Sequence, residues 1–504
     1  MKTINANNRH ELLKSLNLGT SAAETDTKLI EARIETDIFG ELVRDEIDII
    51  RGIKGSGKTA LFRIFNEHLS RSFYKDDGII LVPGVETAGD PVFQEQRPII
   101  KNMSVEELKD FWMVWIIVII NNELFKNDRF RELLKTASPL VAKFDKICAE
   151  CNLPTFESKT TLKALGRKLA KIIPKVIKLG VVSPDGHKYS AEITPRLFET
   201  EISEKEPRPV YSKEILELIS GILTKCNIKI WVMLDRLDEA FPRRSDLEKR
   251  ALKALLEVYK DISKEIIRLK IFIRDDIFDL VTKSPDGFTA LTHVMSRISR
   301  TLEWTERDII HLVVKRVFSD QIVAAFYGVD LLRLEKDFNY REKMFYEVFP
   351  HRMGGGKSGR ITLNWIYNRC MDGSRAVTPR DVIELLRYAR FFELDRVKDT
   401  GIKNDEPLLG IRALQHGHEN LSRLKKENYL QAEFPGLWPS VKAFEGQKAE
   451  HNEKTLKAII GRDWKDITEK LVLIGFLGKS LGKDIYTIPF LFRPGLKIKQ
   501  GKAF

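Results

Sequence analysis

Arg51-Gly-Ile-Lys-Gly-Ser-Gly-Lys-Thr59 is the stretch on which the reading of the fold turns. Gly52, Gly57, Lys58 and Thr59 fill every fixed position of the phosphate-loop pattern G-x-x-x-x-G-K-[ST]. The flanks agree with it. Ile47-Asp-Ile-Ile50 before the loop is a short β-branched run, and Ala60-Leu-Phe-Arg-Ile-Phe65 after it repeats apolar residues at helical spacing. A chance Gly/Lys surface turn would lack that strand–loop–helix context. Backbone N–H groups of Gly52, Gly55, Ser56, Gly57 and Ala60 are therefore expected around the phosphates of a nucleoside triphosphate, at a helix start whose dipole favours anions. Lys58 would neutralise the phosphates, and the Thr59 hydroxyl would ligate Mg²⁺.

Such a loop needs a carboxylate from another strand for Mg²⁺ and a base for the attacking water. Ile228-Lys-Ile-Trp-Val-Met-Leu234 is an apolar strand that ends in Asp235-Arg-Leu-Asp-Glu239. Asp235 is the expected metal carboxylate, and Glu239, or else Asp238, the expected base. A further strand, Leu269-Lys-Ile-Phe-Ile273, runs into Arg274-Asp-Asp276. Arg274 there either touches the γ-phosphate or pairs with Asp275 or Asp276. Thr378-Pro-Arg380 reads as a helix start with Thr as N-cap and Pro at N1, so Arg380 projects from a helix N-terminus toward phosphate or toward solvent. Arg297 and Arg300 are candidate arginine fingers for a neighbouring subunit.

Around these motifs, strands alternating with helices predict an α/β fold with a parallel sheet covered on both faces. The expected order is a helical lead-in over 1–46, an ATPase core over 47–303 with an insertion near 128–210, a helical lid over 304–403, and a C-terminal region over 404–504. In that last region, Leu471–Leu477, a Gly-Lys loop and Ile485–Phe492 resemble a winged helix. The 504 residues exceed one core, and 43% hydrophobic with 31% charged residues is ordinary globular composition. Phe111–Ile120 is too short to span a bilayer and reads as a buried helix opened by the capping box Ser104–Glu107. The missing apolar leader and only four cysteines predict a cytoplasmic chain.

Gly52–Thr59, Asp235-x-Leu-Asp238-Glu239, Arg274 and Trp304 together resemble bacterial P-loop ATPases on the STAND and KAP side of the AAA+ realm. They are most similar to the Fun(Z)-type ATPases of bacterial genomes and prophages, as is Gly19-Thr-Ser-Ala-Ala-Glu-Thr-Asp26. The resemblance covers most of 15–400 and implies an ASCE-type sheet, in which the metal strand is not adjacent to the phosphate-loop strand. It also implies a helical lid, a C-terminal winged helix, Mg-ATP as ligand, and a switch that forms homo-oligomers and drives a separate effector in defence against phages or mobile DNA. Arg236 departs from the many AAA+ chains in which a glutamate directly follows the metal aspartate.

Other signals bear on partners. Net charge +12 leans mildly toward a polyanion. Lys159, Lys163, Arg167, Lys171 and Lys175 line one face of a helix over Lys159–Lys178 that grips nucleic acid, meets an acidic membrane surface or, more often for such a face, is simply solvated, and Lys497, Lys499 and Lys502 share that ambiguity. DNA binding through these lysines and the C-terminal region is the rival to the effector reading. Gly354-Gly-Gly-Lys-Ser358 imitates a second phosphate loop but lacks its first glycine, and reads as a lid loop. His416-Gly-His418 reads as a solvated turn, and Cys148-Ala-Glu-Cys151 is a lone pair without zinc spacing.

Overall fold

The computed structural model describes residues 6–84, 100–150, 212–237, 241, 245–262, 264–284, 287–288, 292, 294–354, 359–399, 406–480, 482 and 484–504. The hairpin expected at 181–186, the basic helix 159–178, the Gly355–Ser358 part of the lid loop, and Asp238 and Glu239 lie outside them. Two compact units emerge: Ile38–Ile53 with Lys58–Thr301, and Met1–Asp37 with Lys54–Gly57 and Leu302–Phe504.

The unit of 38–301 is built on Ile49–Gly52 (β1), Ile79–Pro83 (β2), Lys229–Leu234 (β3), Ile267–Arg274 (β4) and Ile298–Thr301 (β5), in the order β2-β3-β4-β1-β5. Every neighbouring pair is parallel. Parallel strands covered on both faces must be apolar throughout, and β3 is buried at every position after Lys229. β4 lies between β1 and β3, the separation that the resemblance implies.

The expected buried helix is Val105–Lys126, and its capping box is present: Glu107 N–H donates to Ser104 Oγ at 3.3 Å and Ser104 N–H to Glu107 Oε2 at 2.7 Å. Trp112, Ile116 and Ile120 are fully buried, and Trp112 Nε1 donates to the Ala251 carbonyl of the helix Asp246–Ile262 at 2.8 Å. Among the described residues, no helix is long and apolar enough to cross a membrane.

Arg297 corrects its part of the finger reading. Met295–Arg297 is a 3-10 turn that leads directly into edge strand β5, which the sequence reading missed, so Arg297 and Arg300 do not share a helix end. Arg297 is committed inside its own unit, donating to Asp48 Oδ1 and Asp45 Oδ1, both at 2.8 Å. Asp48 also accepts from Lys270 Nζ at 2.8 Å and Tyr259 OH at 2.9 Å. Lys270 is a charged residue in the middle of β4, tolerated because Asp48 and Asp45 pair with it and its ammonium lies 4.2 Å from the Trp231 ring centroid.

In the other unit the lead-in is tied down by buried arginines. Arg316 NH2 donates to Asp26 Oδ2 at 2.6 Å and its NH1 to the Leu18 carbonyl at 2.8 Å, while Arg9 NH1 reaches the Pro407 carbonyl at 2.7 Å. Helices Glu306–Phe318, Thr362–Cys370, Pro379–Asp399 and Ile411–Leu424 make the helical body, with a short hairpin of Arg352–Met353 (β6) and Arg360–Ile361 (β7). His418 was expected in a solvated turn, yet it is buried within the helix Ile411–Leu424 with Nε2 2.9 Å from the Phe490 carbonyl. The Gly between the two histidines hid the helix: Gly417 is where the Leu385 backbone passes too close for a Cβ.

The C-terminal strands Lys448–Asn452 (β8), Gly478–Lys479 (β9), Ile485–Thr487 (β10) and Lys499–Lys502 (β11) form a sheet in the order β11-β8-β10-β9. Helices Glu453–Ile460 and Trp464–Leu473 connect β8 to β9, and β10 is antiparallel to both β8 and β9.

The ion cluster below β1 sets a stability test. Burial alone would raise the Asp48 carboxyl, but Arg297 and Lys270 outweigh it and hold it below the usual carboxylate range. Its contribution is therefore full above the unfolded value of about 4 and disappears as pH falls through the lower folded value. Asp48→Ala is expected to lower the unfolding free energy by about 3 kcal/mol in urea at pH 7, because it takes one of two carboxylate partners from the buried Lys270 and leaves it to Asp45. The gap to the native chain should shrink steadily below about pH 4.

Candidate functional site

The phosphate-loop residues begin where β1 ends. Gly55 and Gly57 take φ of 86° and 105°, conformations that a side chain resists, and the helix Lys58–Arg63 starts immediately afterwards. Lys58 is buried, and its Nζ donates to the Gly52 carbonyl at 2.7 Å and the Ile53 carbonyl at 2.9 Å, which fixes the ammonium against the stem of the loop. Thr59 and Ala60 follow half-buried in the first turn. After Arg63 the helix widens into a π-turn over Ile64–Leu69 before resuming at Ser70–Asp77.

The loop tip, Lys54–Gly57, packs with residues of its own unit. Trp304 Nε1 donates to the Ser56 carbonyl at 2.7 Å, and Tyr367 OH donates to the Trp304 carbonyl at 3.0 Å. Lys54 pairs with the buried carboxylate of Glu433. A Cβ on Gly55 would lie 3.3 Å from both Arg380 Cβ and Thr378 Oγ1. Thr378 is the N-cap expected of it, accepting from Asp381 N–H at 3.2 Å at the start of Pro379–Asp399. The Arg380 stem thus lies against the loop tip, and its Nε donates to the Ser21 carbonyl at 3.3 Å. Trp304, Tyr367 and Glu433 are the residues that motif reading could not assign to the loop. Trp304 stood out only as the entry to the lid, and the other two carry no local signal.

Asp235 follows the last residue of β3 and is buried, at the sheet edge where β1 gives way to the phosphate loop. One strand intervenes, so β1 and β3 run about 10 Å apart. The chain turns sharply at Arg236, where φ is 57°. Arg274 stands at the same edge, where Gly52 is its register partner in β1. Its guanidinium is engaged by Asp276, with Nε at 3.0 Å from Oδ1 and NH2 at 2.9 Å from Oδ2. Asp275 serves Arg51 instead, at 2.9 Å.

A Mg-nucleotide is the group these residues imply, and they fit it. The helix N-terminus at Lys58, its buried ammonium and the buried Asp235 carboxylate belong to one edge of a parallel sheet, and the loop leading to that helix carries two glycines in positive-φ conformations. Among the described residues Ser56 Oγ is buried without a hydrogen-bond partner, a polar atom that a phosphate oxygen would satisfy. Parallel α/β topology and a loop of this geometry make the fold that of a P-loop NTPase.

No protein-family model matches the chain. It is similar to a protein of Escherichia coli (strain K12) assigned to transposon gamma-delta, of 80.3 kDa, with 25% identity over 431 residues. That match takes in 85% of this chain and 53% of the other, so the chain spans about half the length of that relative. Among solved structures, the Aeropyrum pernix ORC2 protein in ADPNP–ADP complexes is similar over 90% of this chain and 89% of that one, with a TM-score of 0.36 and 11% identity.

Lys58→Ala removes the buried ammonium of the motif and is expected to abolish binding of a fluorescent ATP analogue. Gly55→Ala should weaken it at least about tenfold, since it adds a strained φ to a close contact with Arg380 and Thr378. Equilibrium titration, with circular dichroism as the check on folding, measures both.

Proposed function

We propose that this chain is a Mg-ATP-dependent regulatory ATPase, a slow switch more than a motor. The observation that carries the reading is the buried Lys58 and Asp235 at one edge of a β2-β3-β4-β1-β5 parallel sheet. Lys58 and the N–H groups of Gly55–Ala60 would bind the phosphates. Thr59 and Asp235 would hold Mg²⁺, which supplies charge neutralisation on the β- and γ-phosphates. Glu239, or Asp238 in its place, would direct water at the γ-phosphate. Arg274 would reach that phosphate only by exchanging Asp276 for it, which makes Arg274 a candidate reporter of phosphate state.

The packing of the loop tip supports a switch. Trp304, Thr378 and Arg380 contact Ser56 or Gly55 directly, so a change of loop conformation on phosphate loss would be felt by the helix Pro379–Asp399. We place the switch in defence against phages or mobile DNA, as a homo-oligomer acting with a separate effector. The transposon assignment of the Escherichia coli relative is in keeping with a mobile-element setting. The helices between β8 and β9 with the antiparallel β10 support a winged-helix reading of the C-terminal strands, and with it the alternative of a DNA-binding ATPase.

Phosphate release under single-turnover conditions tests the assignment. Glu239→Gln should bind ATP as the native chain does and hydrolyse it about 10²–10⁴-fold more slowly. Normal turnover in Glu239→Gln combined with loss in Asp238→Asn would move the base to Asp238.

A further inference from the structure

Three arginines gather on one phenylalanine in the C-terminal half of the chain. Phe490 opens the short 3-10 turn Phe490–Phe492, and Arg493 follows it directly. Arg369 comes from the last turn of the helix Thr362–Cys370, and Arg360 from β7. Their guanidinium carbons lie 3.8 Å (Arg369), 3.9 Å (Arg493) and 5.6 Å (Arg360) from the Phe490 ring centroid. Arg369 also lies 4.9 Å from the Trp365 centroid.

Charge in this cluster is poorly compensated. Arg493 donates from Nε to the Ile488 carbonyl at 2.8 Å and from NH1 to Gln500 Oε1, both neutral acceptors. Arg369 NH1 is buried without a hydrogen-bond partner among the described residues. Among the described residues none of the three forms an ion pair, although Glu450 acts on Arg493 through space. Burial first, then Arg360 and Arg493, push the Arg369 pKa down to about 10. His418, against the Phe490 carbonyl, is pushed down to about 4 by burial and then by Arg369 and Arg493, so it adds no charge at neutral pH.

Cation–π contacts of about 0.5–2 kcal/mol each can hold one guanidinium on a ring, but a ring face does not cancel repulsion among three. Partly desolvated like charges call for an anion with several acceptor oxygens, and guanidinium forks match phosphate best. The surroundings point to a polymer rather than a lone ion. Gln500, which engages Arg493, lies on β11, and that strand carries exposed Lys499 and Lys502, with exposed Lys497 just before it. Arg360 is exposed as well, so the cluster opens outward and continues as a basic strip.

We propose that Arg360, Arg369 and Arg493 form a binding site for a backbone phosphate of duplex DNA, and that Lys497, Lys499 and Lys502 receive neighbouring phosphates. Specificity for base sequence is not required of such a site. The inference stands apart from the nucleotide reading, because it uses no residue of the phosphate loop.

The test is fluorescence anisotropy of the full chain with a labelled duplex of about 20 base pairs, titrated between about 50 and 300 mM KCl. Binding should fall steeply with salt. Arg360→Gln and Lys499→Gln, both exposed and expected to fold normally, should each reduce the log–log salt slope by about 1 and weaken binding several-fold. Arg333→Gln, whose arginine pairs with Asp337, should change neither. Unchanged affinity and slope in Arg360→Gln would overturn the proposal. So would displacement of the duplex by submillimolar inorganic phosphate at constant ionic strength, which would assign the cluster to a small anion.

Discussion

The constraint on which the nucleotide site depends is the backbone of Gly55–Gly57. Two positive-φ residues in three positions let the chain turn between β1 and the helix that starts at Lys58. Nothing but glycine takes both conformations cheaply. At Gly55 a second reason applies, because Arg380 and Thr378 occupy the space a side chain would need. The loop is therefore fixed twice, by its own dihedral angles and by what lies against it. Lys58 is fixed separately, its ammonium held by the Gly52 and Ile53 carbonyls at the loop's own stem.

Sheet topology supplies the second half of the site. Parallel strands deliver all their carboxyl ends to one edge, so the order β3-β4-β1 sets Asp235, Arg274 and Gly52, where the phosphate loop begins, along that edge. β4 contributes Arg274 at the top of this edge, and lower down it contributes Lys270, which is paired to Asp48. One strand thus carries both a candidate sensor and the buried ion cluster that anchors the start of β1. The pairing of Asp48 with Lys270, Arg297 and Tyr259 leaves that end of the sheet with little freedom to adjust, whereas the loop end is held by hydrogen bonds to backbone carbonyls.

Much of this was legible in the chain itself. The phosphate loop, the β3 strand with Asp235, the Ser104–Glu107 capping box and the Thr378 N-cap are local patterns in which a few adjacent residues fix the backbone, and all four stand where the sequence places them. Long-range pairings were not legible. Nothing within Ser296–Arg300 announces an edge strand, because its four residues gain their conformation from β1. Arg297 looked like an available finger only while its partners Asp45 and Asp48, some 250 positions earlier, were out of view. His418 misled for the opposite reason: Gly417 suggested a turn, but that glycine serves close approach of Leu385 inside a helix.

The same distinction separates Arg274 from Arg369. Both are arginines at the end of a regular element, and the sequence singled out Arg274 alone, because it ends a strand beside the phosphate loop. Arg274 has a bidentate carboxylate partner two residues away, so any contact with phosphate must compete against Asp276. Such competition suits a reporter, whose two states should differ by a small free energy. Among the described residues Arg369 is surrounded by aromatic rings and other arginines and forms no ion pair, with one buried N–H left without an acceptor. An anion arriving there displaces no carboxylate and relieves repulsion already present. On electrostatic grounds the Phe490 cluster is thus the better built for steady binding of phosphate, and the Arg274 edge the better built for switching.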